Sequence, residues 1–119
     1  MSIDPDLWRQ ALNQFNEEQF FECHETLETN WLKEENIEQR NLLQGIIHIA
    51  AAFLHYRKNN SVGYQRQLEK GLKKLDGVRL GEYEKKLNTN LSEFYQSIGR
   101  IGSSSSLPKI QFISSGASL

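Results

Sequence analysis

The sequence has little cysteine, little proline and no long apolar run. Its 119 residues include one cysteine and two prolines. A single cysteine excludes an internal disulfide framework and is typical of a reducing compartment. The most apolar stretch, residues 46–54, is far shorter than the roughly 18 residues needed to cross a bilayer. The first six residues lack the basic and apolar segments of a signal peptide. We therefore expect a cytoplasmic protein that has no membrane partner.

The charges are nearly balanced overall but unevenly distributed. The net charge is −1, yet residues 1–60 hold ten acids and five bases, whereas residues 61–119 hold five acids and nine bases. This asymmetry can steer two halves of the chain, or two copies of it, together, and we expect self-association. It is too weak to indicate a nucleic-acid-binding protein. A hydrophobic fraction of 38% in a chain of this length is typical of one globular domain.

Apolar residues recur at helical spacing along most of the chain, and no clear strand pattern precedes residue 107. Asp4 followed by Pro5 predicts the start of a first helix. Asn16 and Gln19 resemble a capping box for a second helix that runs to about residue 33. Three more helices are predicted over about residues 38–58, 62–75 and 81–101, the fourth capped from residues 59–61.

The fold class is therefore all-α, a single-domain bundle of about five helices. The third helix is apolar over more than half of its circumference, which is typical of a central helix. Residues 1–102 form the predicted bundle domain. Four serines after Gly102 predict a flexible linker, and residues 103–119 form a C-terminal tail.

The second helix carries the first candidate site. His24 lies within an apolar stripe, and Glu28 lies one turn further on, so both side chains can converge on one point. This is not the zinc-protease pattern, because a glutamate stands where that pattern has its second histidine. Three interpretations stay open: a hydrogen-bonded structural network, a pair of metal ligands, or part of an organic-ligand or catalytic pocket. Cys23, at the edge of the stripe, is interpreted as a buried and inert thiol.

The third helix carries a facing strip of polar and small residues. Gln44, His48 and His55 lie along it, and if it faces the second helix, Gln44 and His48 meet His24 and Glu28. A divalent metal held by His24, Glu28 and His48, with His55 as a further candidate, is the alternative that this juxtaposition suggests. Too few inward carboxylates are present for a dinuclear site.

The fourth helix has a basic outer side. Its bases are Arg66, Lys70, Lys73 and Lys74, and acidic residues interrupt them. A solvated surface is the simpler interpretation. The alternative is an interaction module that binds an acidic partner or nucleic acid through this helix.

Two runs resemble the bacterial and archaeal family called domain of unknown function 309, over roughly residues 5–76. The first is Phe15-x4-Phe20-Phe21-Glu22-x-His24-Glu25-x-Leu27-Glu28-x2-Trp31-Leu32, and the second is Arg40-Asn41-Leu42-Leu43-Gln44-Gly45-Ile46-Ile47-His48-Ile49-Ala50-Ala51-Ala52. The resemblance implies a small cytoplasmic helical protein without an established activity. It also implies a candidate functional cluster of His24, Glu25, Glu28, Trp31, Arg40, Gln44 and Gly45. The family more often has glutamine at the position of His48, which favours a hydrogen-bonding role there.

These observations together predict a polar cluster of His24, Glu28, Arg40 and Gln44 inside the core. We expect Arg40 to pair with Glu25 or Glu28, because a buried carboxylate favours a charged partner. We expect Gly45, unfavourable in a helix by about 1 kcal/mol, to mark close passage of the second helix. A structural or interaction role is the leading interpretation. Metal binding or metal-dependent catalysis at His24 and Glu28 is the alternative, and no reaction is assigned.

Overall fold

The computed structural model describes residues 3–98, and every regular element in that range is a helix. This confirms the all-α fold class, with six helices among the described residues where about five were predicted. Within residues 3–98, none of the helices has both the length and the apolar character needed to span a membrane. The predicted boundary at residue 102 and the tail over 103–119 lie outside the described residues. The helices are α1 (Pro5–Asn16), α2 (Phe20–Trp31), α3 (Ile37–Arg57), α4 (Ser61–Asp76), α5 (Leu80–Leu87) and α6 (Leu91–Ile98).

Three helices begin at side-chain caps. The Asp4 carboxylate accepts hydrogen bonds from the backbone N–H groups of Asp6 and Leu7, at 2.9 and 3.2 Å. Asn36 and Asn60 cap α3 and α4 in the same way. Each cap satisfies N–H groups that the first turn of a helix leaves without partners. The predicted starts at Asp4 and at residues 59–61 are therefore confirmed.

The predicted capping box at Asn16 and Gln19 is wrong. Asn16 is the last residue of α1, and α2 begins only at Phe20. Between them, Glu18 adopts a left-handed backbone conformation with φ of 63°, which turns the chain sharply. Gln19 is the N-cap residue of α2 but makes no side-chain capping bond.

The predicted fifth helix is two helices, α5 and α6. Asn88 breaks it in the left-handed region, with φ of 52°, a conformation that asparagine tolerates better than most residues. The start of α6 is held by the Glu84 carboxylate, which accepts from the Ser92 N–H at 2.7 Å. The Asn90 side chain accepts from the Glu93 N–H at 3.3 Å. These bonds fix the turn, and α5 packs against α6 in a compact unit that begins at Arg79.

The helices α1 to α4 form another compact unit, which ends at Val78. α3 is its central helix, because α2 and α4 both pack against it, and α1 packs against α2. The rings of Phe15, Phe20 and Phe53 meet in the core with centroids 5.3–5.6 Å apart. Contacts of this kind between buried rings add to the stability gained from apolar burial. The predicted central position of the third helix is confirmed.

α3 and α4 approach each other closely at two glycines. A Cβ atom placed on Gly71 would lie 2.8 Å from the carbonyl oxygen of Gly45, and one on Gly45 would lie 2.7 Å from the side chain of Leu75. Gly45 therefore marks close passage of α4. The prediction that it accommodates the second helix is wrong, because periodicity identifies the face of a helix and not the neighbour that covers it.

Candidate functional site

An open pocket of about 270 Å³ lies between α2, α3 and α4. We call it the histidine pocket. Its volume is slightly below the range of about 300–1,000 Å³ that is common for small-molecule sites. It is lined by His24, Glu28 and Trp31 of α2, by Gln44, Ile47, His48 and Ala51 of α3, and by Gln67 of α4.

Helical spacing explains how each helix contributes several lining residues. On α2 the residues are separated by four and three positions, and on α3 by three, one and three. Taken together, the lining residues of α3 follow the pattern i, i+3, i+4 and i+7, and this pattern, like the spacing on α2, keeps side chains on one face of a helix. The structure therefore brings His24 and Glu28 together with Gln44 and His48, which is the juxtaposition expected if the second and third helices face each other. The small side chain of Ala51 also lines the pocket.

The pair formed by His24 and Glu28 is not in the core. Their side chains are 33% and 47% exposed, and His24 Nε2 lies 3.9 Å from Glu28 Oε2. That separation is too long for a hydrogen bond. Arg40 and Gln44 are also only partly buried. The predicted polar cluster inside the core is thus wrong, because these residues border an open pocket.

His48 is oriented by Gln67. The imidazole Nδ1 lies 2.8 Å from the Gln67 Oε1 atom. With a carbonyl oxygen as its partner, Nδ1 of the neutral imidazole carries the proton and donates it, so Nε2 is left as an acceptor. Gln67 was missed in the sequence. The available signal was a glutamine three residues after the inward-facing Tyr64, on a helix whose outer side is basic.

Several polar groups of the pocket have no hydrogen-bond partner among the described residues. They include the Glu28 carboxylate and the Gln44 amide, both partly exposed at the pocket. In addition, His24 Nδ1 and Trp31 Nε1 are shielded from solvent and have no partner. A buried polar atom left in this way costs about 1–3 kcal/mol. Buried polar atoms that lack hydrogen bonds, and so lower the stability of the fold, are more typical of functional sites than of structural cores.

Arg40 supports the pocket wall from outside. Its Nη1 atom donates to the carbonyl oxygens of Trp31 and Glu34, at 3.0 and 2.8 Å, and its guanidinium lies 4.3 Å from the centre of the Trp31 ring. The guanidinium thus stabilises the carboxyl end of α2, where the helix dipole favours a cation. The predicted pairing of Arg40 with Glu25 or Glu28 is wrong.

Besides Arg40, three candidate residues lie outside the pocket lining. Glu25 is exposed on α2, and Gly45 lies at the α3–α4 contact. His55 Nδ1 is 3.2 Å from the Asn60 side-chain amide, at the far end of α3. The candidate cluster is therefore reduced to His24, Glu28, Trp31, Gln44 and His48, with Gln67 added.

The side chains do not assemble into a metal centre. Within residues 3–98, no three or more His, Cys, Asp or Glu side chains are close enough together to hold a metal ion. His24, Glu28 and His48 thus line one pocket without forming a three-ligand set.

Cys23 of α2, next to His24 in the sequence, is fully buried. Burial raises the pKa of its thiol to about 12. At neutral pH the reactive thiolate is therefore scarce. This agrees with the interpretation of an inert cysteine.

A helical fold with a polar pocket between three helices defines a small all-α protein with a candidate binding site. The chain belongs to the family described as Domain of unknown function (DUF309), whose model matches residues 8–67 and so includes all the lining residues of the pocket. The resemblance noted in the two sequence motifs is thereby confirmed. The chain is also similar to the uncharacterized protein YpuF of Bacillus subtilis (strain 168), with 32% identity over 54 residues. The match covers 45% of this chain and 31% of that relative. No solved structure matches the chain.

Proposed function

We propose that the histidine pocket binds a small organic cation, such as a primary amine or a guanidine, through the Glu28 carboxylate. The observation that carries the proposal is the convergence of polar side chains from α2 and α3 on one open pocket, where the Glu28 and Gln44 side chains make no hydrogen bond within residues 3–98. Convergent polar groups beside apolar side chains, here Trp31, Ile47 and Ala51, are typical of a small-molecule site.

The charge of the lining favours a cation. Glu28 is the one carboxylate among the lining residues, and none of them is lysine or arginine. With histidine counted as neutral, the lining has a formal charge of −1. An anionic ligand would meet repulsion there, whereas an ammonium group gains a charge-assisted hydrogen bond.

Two further polar groups match a ligand that donates hydrogen bonds. His48 offers Nε2 as an acceptor because Gln67 holds its other nitrogen. The Gln44 amide can accept or donate, and the Ile47 and Ala51 side chains suit the carbon atoms of the ligand. An amine or guanidine with a short alkyl part therefore suits these four side chains.

A divalent metal is the competing cation, and it was the alternative suggested by His24, Glu28 and His48. The bare Nε2 of an oriented histidine suits a metal as well as an amine. An organic cation is favoured because it needs only Glu28 and one or two acceptors, whereas a stable metal site needs three or more converging ligands. No catalytic step is part of the proposal.

The test is calorimetric titration of the full chain, purified without an affinity tag, against short primary amines and guanidines and against carboxylates of matched size. We expect binding of the cations only. Glu28→Gln keeps the shape of the side chain but removes its charge, so it should weaken binding by about 10–100-fold, the value of a charge-assisted bond.

Glu25→Gln is the matched control, since Glu25 lies on the same helix but outside the pocket lining. This variant should bind as the wild type does. Equal losses in both variants, or no binding of any cation in the panel, would contradict the proposal. Stoichiometric binding of zinc, iron or manganese that is lost in Glu28→Gln, without amine binding, would assign the pocket to a metal instead.

A further inference from the structure

The outer side of α2 has an unusual combination of acidic and apolar residues. Phe21, Glu25 and Leu32 lie within about 40° of one another around the helix, at 100° per residue. Leu32, the C-cap residue, continues the helical backbone. Phe21 is 54% exposed and Leu32 is 68% exposed, and α2 contains no lysine or arginine. We call these three residues the acidic face.

The outer side of α4 carries the opposite charge. Val62, Arg66 and Lys73 lie along one line of the helix and Lys70 lies beside them, interrupted by Glu69. All five residues are exposed, and Val62 is 59% exposed. We call Val62, Arg66, Lys70 and Lys73 the basic face. Like the acidic face, it places an exposed apolar residue at the amino end and charges in the following turns.

We propose that the acidic face of one protomer docks on the basic face of a second copy of this chain. Both faces belong to the compact unit that ends at Val78, so each copy carries both halves of the contact. The exposed apolar residues would then leave water, and the carboxylates would meet the cations.

Charge complementarity identifies the occupant as a second copy. Residues 1–60 have a net charge of −5 and residues 61–119 a net charge of +4, so the two faces reproduce the imbalance of the whole chain. Contacts between two acidic faces or between two basic faces are disfavoured by repulsion. Pairing of opposite faces is attractive and steers the encounter.

The positions of the two faces on α2 and α4 are also compatible with a closed dimer. α2 and α4 both border the histidine pocket beside α3. In the proposed dimer, a two-fold axis would let the acidic face of each protomer engage the basic face of the other at the same time. Two identical contacts made together give a closed assembly and avoid open chains.

The test is sedimentation equilibrium of the full chain over a wide concentration range at low and high ionic strength. We expect reversible dimerisation that weakens as salt is added, because exposed ion pairs are screened. Glu25→Lys and Lys73→Glu should each raise the dimer dissociation constant by about tenfold, since each replaces attraction with repulsion. The double variant should return to within about threefold of the wild type.

Glu35→Lys and Lys58→Glu are the matched controls, because both residues are exposed and lie outside the two faces. Each should leave dimerisation unchanged. A monomer at every concentration at low salt would overturn the proposal, as would a double variant that stays as weak as the single ones. Salt-sensitive binding of duplex DNA or RNA by a monomer, lost in Lys73→Glu, would assign the basic face to nucleic acid and also overturn it.

Discussion

Replacing Gly71 by alanine tests the close contact of α3 and α4, which positions Gln67 against His48. An added Cβ would lie 2.8 Å from the Gly45 carbonyl oxygen, 2.8 Å from Ile49 Cγ1 and 3.3 Å from His48 Cβ. The first neighbour is backbone, so no change of rotamer relieves the contact. To reach an ordinary separation near 3.4 Å, the helices must move apart by roughly 0.6 Å, which opens a packed core.

Two opposing terms set the magnitude. Alanine is favoured over glycine by about 1 kcal/mol inside a helix, which would stabilise the variant. Overpacking of a core costs about 1–3 kcal/mol, and the backbone contact places this case towards the upper end. We therefore expect Gly71→Ala to lower the free energy of unfolding by about 1–2 kcal/mol.

Urea denaturation followed by far-ultraviolet circular dichroism measures this loss. With an m-value of about 1.5 kcal/mol/M, the midpoint should fall by roughly 1 M. Gly77→Ala is the control, because no atom lies within 4 Å of its added Cβ and its φ of −91° suits any residue. That variant should be neutral or slightly stabilised. A Gly71→Ala protein as stable as the wild type would refute the reasoning.

Two further predictions concern single residues. Cys23 should react with iodoacetamide at pH 8 far more slowly in the native protein than in urea, because its pKa is raised to about 12 and its side chain is buried; equal rates would contradict this. Arg40→Lys should destabilise the protein by about 1–2 kcal/mol in urea denaturation, since lysine cannot both stack on the indole and donate to two carbonyl groups in the same planar geometry. Arg66→Lys, at an exposed position, should cost less than about 0.5 kcal/mol, and equal losses would remove the special role of Arg40.

The sequence predicted the start of a helix well where a side chain forms a hydrogen bond with a nearby backbone N–H group. Asp4 and Asn60 were recognised as caps because their oxygen atoms bond to N–H groups two or three residues away. Glu18 was not recognised, because a left-handed glutamate has no residue-type signature. The break at Asn88 was also not predicted, although asparagine is enriched in the left-handed conformation and could have indicated it.

The sequence predicted which residues share the site better than it predicted their exposure and their contacts. The helical face of His24 and Glu28, and that of Gln44 and His48, followed from spacing alone. Their exposure did not, because a stripe that includes apolar residues can border an open pocket as well as a core. The partners of Arg40 and Gly45 depend on which helix lies next to α3 at each level, and this is set by packing across the whole unit.

The central claim is that His24, Glu28 and His48 belong to one pocket for a small organic cation. The three histidines of the chain allow this to be measured directly, since His55 lies outside the pocket and serves as an internal reference. Titration with a primary amine, followed by the NMR signals of the imidazole Cε1–H groups, should shift His24 and His48 with one saturation curve and leave His55 unchanged. The shifts should vanish in Glu28→Gln and persist in Glu25→Gln. Equal shifts at all three histidines, or none at His24 and His48 at saturating amine, would contradict the account.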